Sequence, residues 1–279
     1  MIADVFLSDC ITTSTPSNVK FSFPHNRSLF GNVDSLSKAS PYYKTLFESG
    51  FAEGSLSTLE QGAAKSNRRV VEREFDDSDD EAEEDIMPEA TPIPSTASDT
   101  PAAATVPSSD TLTKPDPSFR LVNIDAAAYT TYHAVLCYLQ TGHITFAPLR
   151  SSFRLQPDST TLRNAKIAEL HFDHSHPLPA SPKSVYRLAH FLELCKLADL
   201  ALVNIKSQLT PENIAFEVFG DGVVPYDDLS DLLLDYAAQN WNKAKESLAM
   251  AEVNSCIARG EGVSVYAIMS SKLLPMLSA

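Results

Sequence analysis

The alternation of apolar and polar residues near the start of the chain predicts a β-hairpin followed by two short helices. Apolar side chains recur at every second position over 19–23, which is typical of a half-buried strand, and the segment 28–31 is expected to return as its partner. A first helix is expected over about 33–38. The second begins after Ser40, which can cap it, with a proline at its first position, and Gly50 is expected to end it.

A second strand-and-helix pattern follows much later in the chain. The segment 119–125 has the composition of a strand, and Asp125 is expected to cap the helix after it. Four apolar residues then recur at helical spacing: Tyr132, Val135, Leu136 and Leu139. Gly142 is expected to end this helix, and the short segment 144–146 is expected to form another strand.

The last third of the chain predicts helices only. A Ser-Pro pair at 181–182 opens a helical stripe that continues to Cys195. Further helical patterns follow at about 199–209, 211–219 and 229–241. The apolar segment 263–274 is expected to be helical or loosely packed. A few short strands early and many helices late form an α+β pattern.

Composition sets two segments apart from this pattern. Residues 54–117 contain 15 acids and 5 bases, and seven of the chain's 18 prolines lie between Pro88 and Pro117. Such a segment cannot bury enough apolar area to offset its ordering entropy, so we expect a disordered acidic and proline-rich insertion. Residues 147–180 are also polar and unpatterned, and we expect a second loop there. Most of the net charge of −14 therefore lies in the first insertion.

Several classes of function have no support in the sequence. There is no basic footprint of a nucleic-acid binder and no apolar run of 18 residues that would span a membrane. We recognise no hydrolase, metalloprotease or nucleotide-binding motif, so we expect neither an enzyme nor a cofactor. His171, His174 and His176 are interpreted as part of an exposed polar loop, so we predict no metal site. Four widely separated cysteines are typical of reduced thiols and favour the cytoplasm, the nucleus or both.

Three segments resemble the BTB/POZ family, in the family's order. LFGNVDSLSKASPYYKTLFESGFAEG resembles its first helical hairpin, AYTTYHAVLCYLQTGHITF its third helix, and SPKSVYRLAHFLELCKLADLALVNIKSQLTPENI the paired helices that close the domain. The layout with long insertions is most similar to fungal BTB/POZ proteins. The resemblance implies a BTB/POZ fold over 17–215, in which a cluster of helices packs with a small, mostly antiparallel sheet. Residues 1–16 would contain an exchanged strand at 4–7, and 216–279 would form a C-terminal helical extension.

The resemblance also implies a protein-interaction module. BTB domains generally form homodimers, and many bind a cullin scaffold as substrate adaptors of ubiquitin ligases. A hydrophobic-x-Glu signature after the second helix helps this docking in several members, and Phe51-Ala52-Glu53 matches it. Phe51 is equally compatible with a core position, and Tyr138 is a further candidate partner-binding residue. The alternative function is a self-assembling scaffold or transcription-associated protein that binds no cullin.

The acidic run at 76–85 contains a candidate modification site. Ser78 is followed directly by Asp79, Asp80 and Glu81, a sequence that suits an acidophilic kinase. A phosphate on Ser78 would add about 1.5–2 negative charges to the segment. The simpler interpretation of the run is a solubilising linker.

Overall fold

Residues 18–32 form the antiparallel hairpin that begins the sheet. In the computed structural model, the described residues are 18–48, 56–57, 119–124, 126–171, 177–220 and 222–278. Strand β1 (Asn18–Phe23) pairs with β2 (Arg27–Asn32), in a register that sets Phe21 opposite Leu29. The apolar side chains of β1 are buried, so the predicted alternation and hairpin are confirmed.

The sheet is completed by two strands that follow in sequence only after the first helices. Strand β4 (Phe119–Asn123) lies parallel to β1, and β3 (Leu56–Ser57) pairs antiparallel with β4. The order across the sheet is β2-β1-β4-β3. The expectation of a disordered insertion is therefore wrong for Leu56–Ser57. The rest of 54–117, like 1–16, lies outside the described residues.

Two short helices follow β2, each opened by a side-chain cap. Helix α1 (Val33–Ala39) begins where Asn32 Oδ1 accepts a hydrogen bond from the Ser35 N–H at 3.0 Å. Helix α2 (Pro41–Glu48) begins where Ser40 Oγ accepts one from the Tyr43 N–H at 3.3 Å, as the Ser-Pro pair predicts. Gly50, the predicted end of α2, lies outside the described residues.

Helix α3 (Tyr129–Thr141) crosses the core after β4. It ends at Gly142, whose φ of 73° is a left-handed conformation that glycine adopts without strain, as predicted. The expected cap is wrong, because the residue before the helix is Ala128 and no side chain caps it. The expected strand over 144–146 is also wrong, since only Phe146 forms a bridge, with Ala180.

The segment expected to be a polar loop over 147–180 contains helix α4 (Ser159–Leu170). Arg163 is its one buried residue, with 7% of its surface exposed. The helix therefore lacks the apolar stripe on which the prediction from periodicity depends. Arg163 Nε donates to the Pro148 carbonyl at 3.0 Å and so ties α4 to the segment before it.

Six helices make up the C-terminal part: α5 (Pro182–Phe191), α6 (Cys195–Gln208), α7 (Ile214–Val218), α8 (Asp227–Ala244), α9 (Leu248–Ala258) and α10 (Val263–Leu277). The predicted continuation to Cys195 of the helical stripe that begins at the Ser-Pro pair 181–182 is wrong. Helix α5 ends at Phe191, and Glu193 has a φ of 57°, which lies in the left-handed region and not in the helical one. Helix α9 was not anticipated. Within the part of the chain that the structure describes, no helix is long and apolar enough to cross a membrane.

An aromatic cluster links the sheet to the helices at the centre of the core. The Phe21 ring lies 5.0 Å from that of Tyr132, and the hydroxyl oxygens of Tyr43 and Tyr132 are 2.6 Å apart in a buried hydrogen bond. Burial raises the pKa of both hydroxyls above the ordinary tyrosine value, so both stay protonated. The pair joins α2 to α3.

We expect Tyr132→Phe to lower the free energy of unfolding by about 1–3 kcal/mol, because it leaves the buried Tyr43 hydroxyl without this bond. The double variant Tyr43→Phe/Tyr132→Phe should be closer to the unmodified protein, since it removes both polar groups. Urea unfolding of the unmodified protein, of each single variant and of the double variant measures this coupling. Strictly additive effects of the two single substitutions would contradict it.

Candidate functional site

The predicted docking residues Phe51 and Glu53, like Ser78, lie outside the described residues. The C-terminal end of α2, which precedes Phe51 and Glu53 in the sequence, is held by two contacts. Arg120 on β4 donates from Nη1 to the Phe47 carbonyl at 2.6 Å, and its guanidinium lies 5.5 Å from the centre of the Phe47 ring. This cation–π contact and hydrogen bond hold the C-terminal end of α2 against the sheet.

An exposed aromatic pair lies at the junction of α2 and α5. The rings of Tyr42 and Phe191 are 4.8 Å apart, and 59% of the Phe191 surface is exposed. The Ser40 hydroxyl donates to the Leu192 carbonyl at 2.6 Å, which fixes the two helix ends together. We call Tyr42 and Phe191 the aromatic patch. A large exposed ring held in place by a neighbour is typical of a partner-binding anchor.

Tyr138, the third predicted partner-binding residue, lies on α3. Its side chain is half-buried and packs against the core, so only part of it is accessible to a partner. Tyr138 and the aromatic patch thus lie on different helices. The role of Tyr138 in binding stays a prediction.

A polar cavity of about 310 Å³ opens between the segment before α4, α5 and α7. We call it the Lys183 cavity, and six of its lining residues are polar: Arg150, Ser151, Arg154, Ser159, Lys183 and Glu217. The Arg154 guanidinium lies over the Phe216 ring, which also lines the cavity, at 4.5 Å. Three cationic side chains and one carboxylate therefore line this space, and each of the three cations also makes further contacts.

The buried carboxylate of the cavity is ion-paired. Lys183 Nζ lies 3.2 Å from Glu217 Oε2, and the two side chains are 6% and 1% exposed. Glu217 Oε2 is thus held by the ion pair, whereas the buried Oγ of Ser151 has no hydrogen-bond partner among the described residues. This hydroxyl is therefore able to bond with a molecule in the cavity or with ordered water.

Sequence reasoning missed this cavity, although two signals pointed towards it. Lys183 stands at the start of the helix that carries the apolar stripe Val185, Leu188 and Ala189, and Glu217 is the one charged residue in the apolar run 214–219. A charge in such a position is buried only when it is paired. The pairing partner lies in another helix, so the sequence alone does not identify it.

The described residues contain no group of three or more His, Cys, Asp or Glu side chains able to hold a metal ion. Of the histidine cluster, His174 and His176 lie outside those residues. Burial raises the pKa of the Cys137 thiol to about 11, so it stays protonated and unreactive near neutral pH.

Comparison of the sequence with models of known families gives no match, and comparison with curated proteins gives none either.

We expect Lys183→Met to lower the free energy of unfolding by about 3–5 kcal/mol, because it leaves the buried Glu217 carboxylate without its ion-pair partner. Lys183→Met/Glu217→Leu should recover much of that loss. The matched control is Lys166→Met, which breaks the exposed Lys166–Glu169 pair on α4 and should cost less than about 1 kcal/mol. Equal losses for the two single variants in urea unfolding would contradict a buried pair.

Proposed function

We propose that this chain is a BTB/POZ-type interaction module that forms a homodimer and acts as an adaptor for a cullin-based ubiquitin ligase. The observation that carries the proposal is the order of the elements. A hairpin leads into two short helices, a strand parallel to β1 follows, and α3 and then the α5–α6 pair complete the unit. The three segments that resemble the family fall on these elements in the same order.

The aromatic patch supports a binding role for the face where α2 meets α5. Phe191 exposes more than half of its surface, although its ring packs against that of Tyr42 at an angle of 52° and the Ser40–Leu192 hydrogen bond fixes the backbone next to it. A ring that is already ordered loses little entropy on binding, so burying it under a partner contributes more to affinity.

The predicted hydrophobic-x-Glu signature follows α2 in the sequence. Arg120 holds the end of α2 at Phe47, four residues before Phe51 in the sequence. In this proposal Phe51 inserts into a cullin pocket as a hot spot, and the Glu53 carboxylate orients the encounter from the rim. Tyr138 contributes its accessible edge from α3.

The homodimer of the proposal uses α1 and the edge of the sheet. Helix α1 fully buries only Leu36, so most of its surface remains available to a second copy. Strand β2 is at one edge of the sheet order, where an added strand gains backbone hydrogen bonds. The strand predicted at 4–7 is the candidate for this exchange.

The protein substrate of the proposed adaptor has its candidate site on the C-terminal helices. Helix α10 carries four exposed apolar side chains: Val263, Ile268, Leu274 and Met276. Exposed apolar area of this kind favours a protein partner.

We expect the purified chain to bind a cullin N-terminal domain, with affinity measured by isothermal titration calorimetry. Phe191→Ala should weaken binding by about 2 kcal/mol, roughly 30-fold in Kd, because it removes an ordered aromatic anchor. Phe51→Ala/Glu53→Ala should weaken it by at least as much.

The matched control is Leu248→Ala, which truncates a side chain that is 74% exposed on α9, away from this face. It should leave Kd unchanged. A folded wild-type protein that binds no cullin would overturn the adaptor proposal and favour the scaffold alternative.

We expect light scattering to give the mass of a dimer, and removal of residues 1–16 to increase the fraction of monomer, because the exchanged strand is lost. The substitution Lys38→Glu on exposed α1 is a milder variant that should weaken a dimer formed through this helix. A monomeric intact chain at micromolar concentration would contradict the dimer.

A further inference from the structure

We infer that the surface where α5, α6 and the start of α8 meet binds an arginine side chain presented by another protein. We call this surface the acidic site, and its residues come from three parts of the chain: Tyr186 and His190 of α5, Asp199 of α6, and Tyr226, Asp227 and Asp228 at the start of α8. Neither the aromatic patch nor the Lys183 cavity shares a residue with it.

Three aromatic rings in mutual contact bring the parts of the acidic site together. The Tyr186 ring lies 5.6 Å from that of Tyr226 and 6.3 Å from that of His190. The rings of His190 and Tyr226 are 5.4 Å apart and nearly perpendicular, at 84°. Tyr226 directly precedes Asp227 and Asp228, so this packing places the first acids of α8 beside the rings of α5. His190 is exposed and Tyr226 is half-buried, so part of the aromatic surface is accessible from solvent.

The hydroxyl of Tyr186 is a polar group of the site without a hydrogen-bond partner. The residue is 2% exposed, and its hydroxyl makes no hydrogen bond with the described residues. Burial and nearby carboxylates, of which Asp228 has a larger effect than Asp199, raise the pKa of Tyr186 to about 12. Both carboxylates therefore lie near a protonated hydroxyl. A polar side chain that is buried without a partner commonly marks the place of a missing one.

Two carboxylates of the site have no cation paired with them. Asp199 and Asp228 are exposed, and neither forms an ion pair in the part of the chain that the structure describes. Asp227 differs, because its Oδ1 lies 3.8 Å from Lys272 Nζ. The positive end of α8 offsets part of the charge of Asp228, whereas Asp199 lies beyond the first turn of α6, where a helix provides no such compensation. The site therefore has negative charge available to a ligand.

The hydrogen-bonding chemistry of the site selects a guanidinium group. Ionised Asp199 and Asp228 can only accept hydrogen bonds, and the oxygen of Tyr186 can also accept one, so the ligand must be a cation with several donors. A guanidinium carries its donors in a planar fork that can reach separate acceptors, and its face packs on aromatic rings. A lysine ammonium is a compact charge that matches this combination less well. A metal ion fits less well too, because the described residues contain no group of three or more side chains able to hold one.

The test measures binding of a fluorescein-labelled peptide of alternating Arg and Gly residues to the full chain, by fluorescence anisotropy at physiological salt. The same peptide with Lys in place of Arg is the comparison, and we expect the arginine peptide to bind at least about three-fold more tightly. Asp199→Asn and Asp228→Asn should each weaken its binding about ten-fold, because each removes a charge-assisted hydrogen bond. Tyr186→Phe should weaken it about three-fold, since it removes a neutral acceptor and leaves the ring in place.

Glu246→Gln is the matched control for charge. Glu246 is exposed, forms no ion pair with the described residues, and follows the far end of α8, about 27 Å from the start of that helix. Its substitution removes the same charge as Asp228→Asn and should leave binding of the arginine peptide unchanged. Equal weakening by Asp228→Asn and Glu246→Gln would show attraction by net charge alone and overturn the assignment. Equal affinity for the arginine and lysine peptides, or no binding of either, would overturn it as well.

Discussion

The hydrogen bond between Tyr43 and Tyr132 is the contact on which the rest of the structure depends. It joins two residues that are 89 positions apart, on either side of the long acidic segment. Phe21 packs against both rings from the sheet, so a strand and two helices meet at one buried point. Because one hydroxyl donates to the other, neither buried oxygen is without a hydrogen bond, which lowers the cost of burying two polar atoms in the core. The early hairpin and the later helices thereby form one core.

Two further polar contacts fix the ends of helices that pack on this core. Arg120 fixes the end of α2 on the sheet, and Ser40 fixes its beginning to the end of α5. The aromatic patch is therefore held at both helix ends, which gives the proposed binding face its rigidity. The Lys183 cavity shares α5 with this face but is lined by other residues, from the start of α5, from α7 and from the segment before α4. The chain thus has an exposed aromatic pair on one part of its surface and a polar cavity on another.

The sequence predicted the elements whose pattern is local. Three local signals are confirmed: the alternation over 19–23, the two Ser-Pro helix openings and the glycine at 142. Each of them acts through neighbouring residues. Helix α4 escaped prediction because its apolar residues form no buried stripe: Leu162 and Leu170 are exposed, and Arg163 is buried instead. The break near Glu193 escaped because the apolar stripe continues through it. The pairing of Lys183 with Glu217 depends on how two helices meet, which periodicity does not encode. The docking role of Phe51, Glu53 and Tyr138 stays a prediction.

The central claim is that the face formed by the ends of α2 and α5 binds a partner of the cullin type. Hydrogen–deuterium exchange of the chain, alone and with a cullin N-terminal domain, tests it most directly. The account predicts that the cullin slows exchange in peptides covering 41–48 and 188–194, while peptides of α9 (Leu248–Ala258) exchange at an unchanged rate. Slowed exchange confined to α8–α10, or no change anywhere in the presence of saturating cullin, would contradict it.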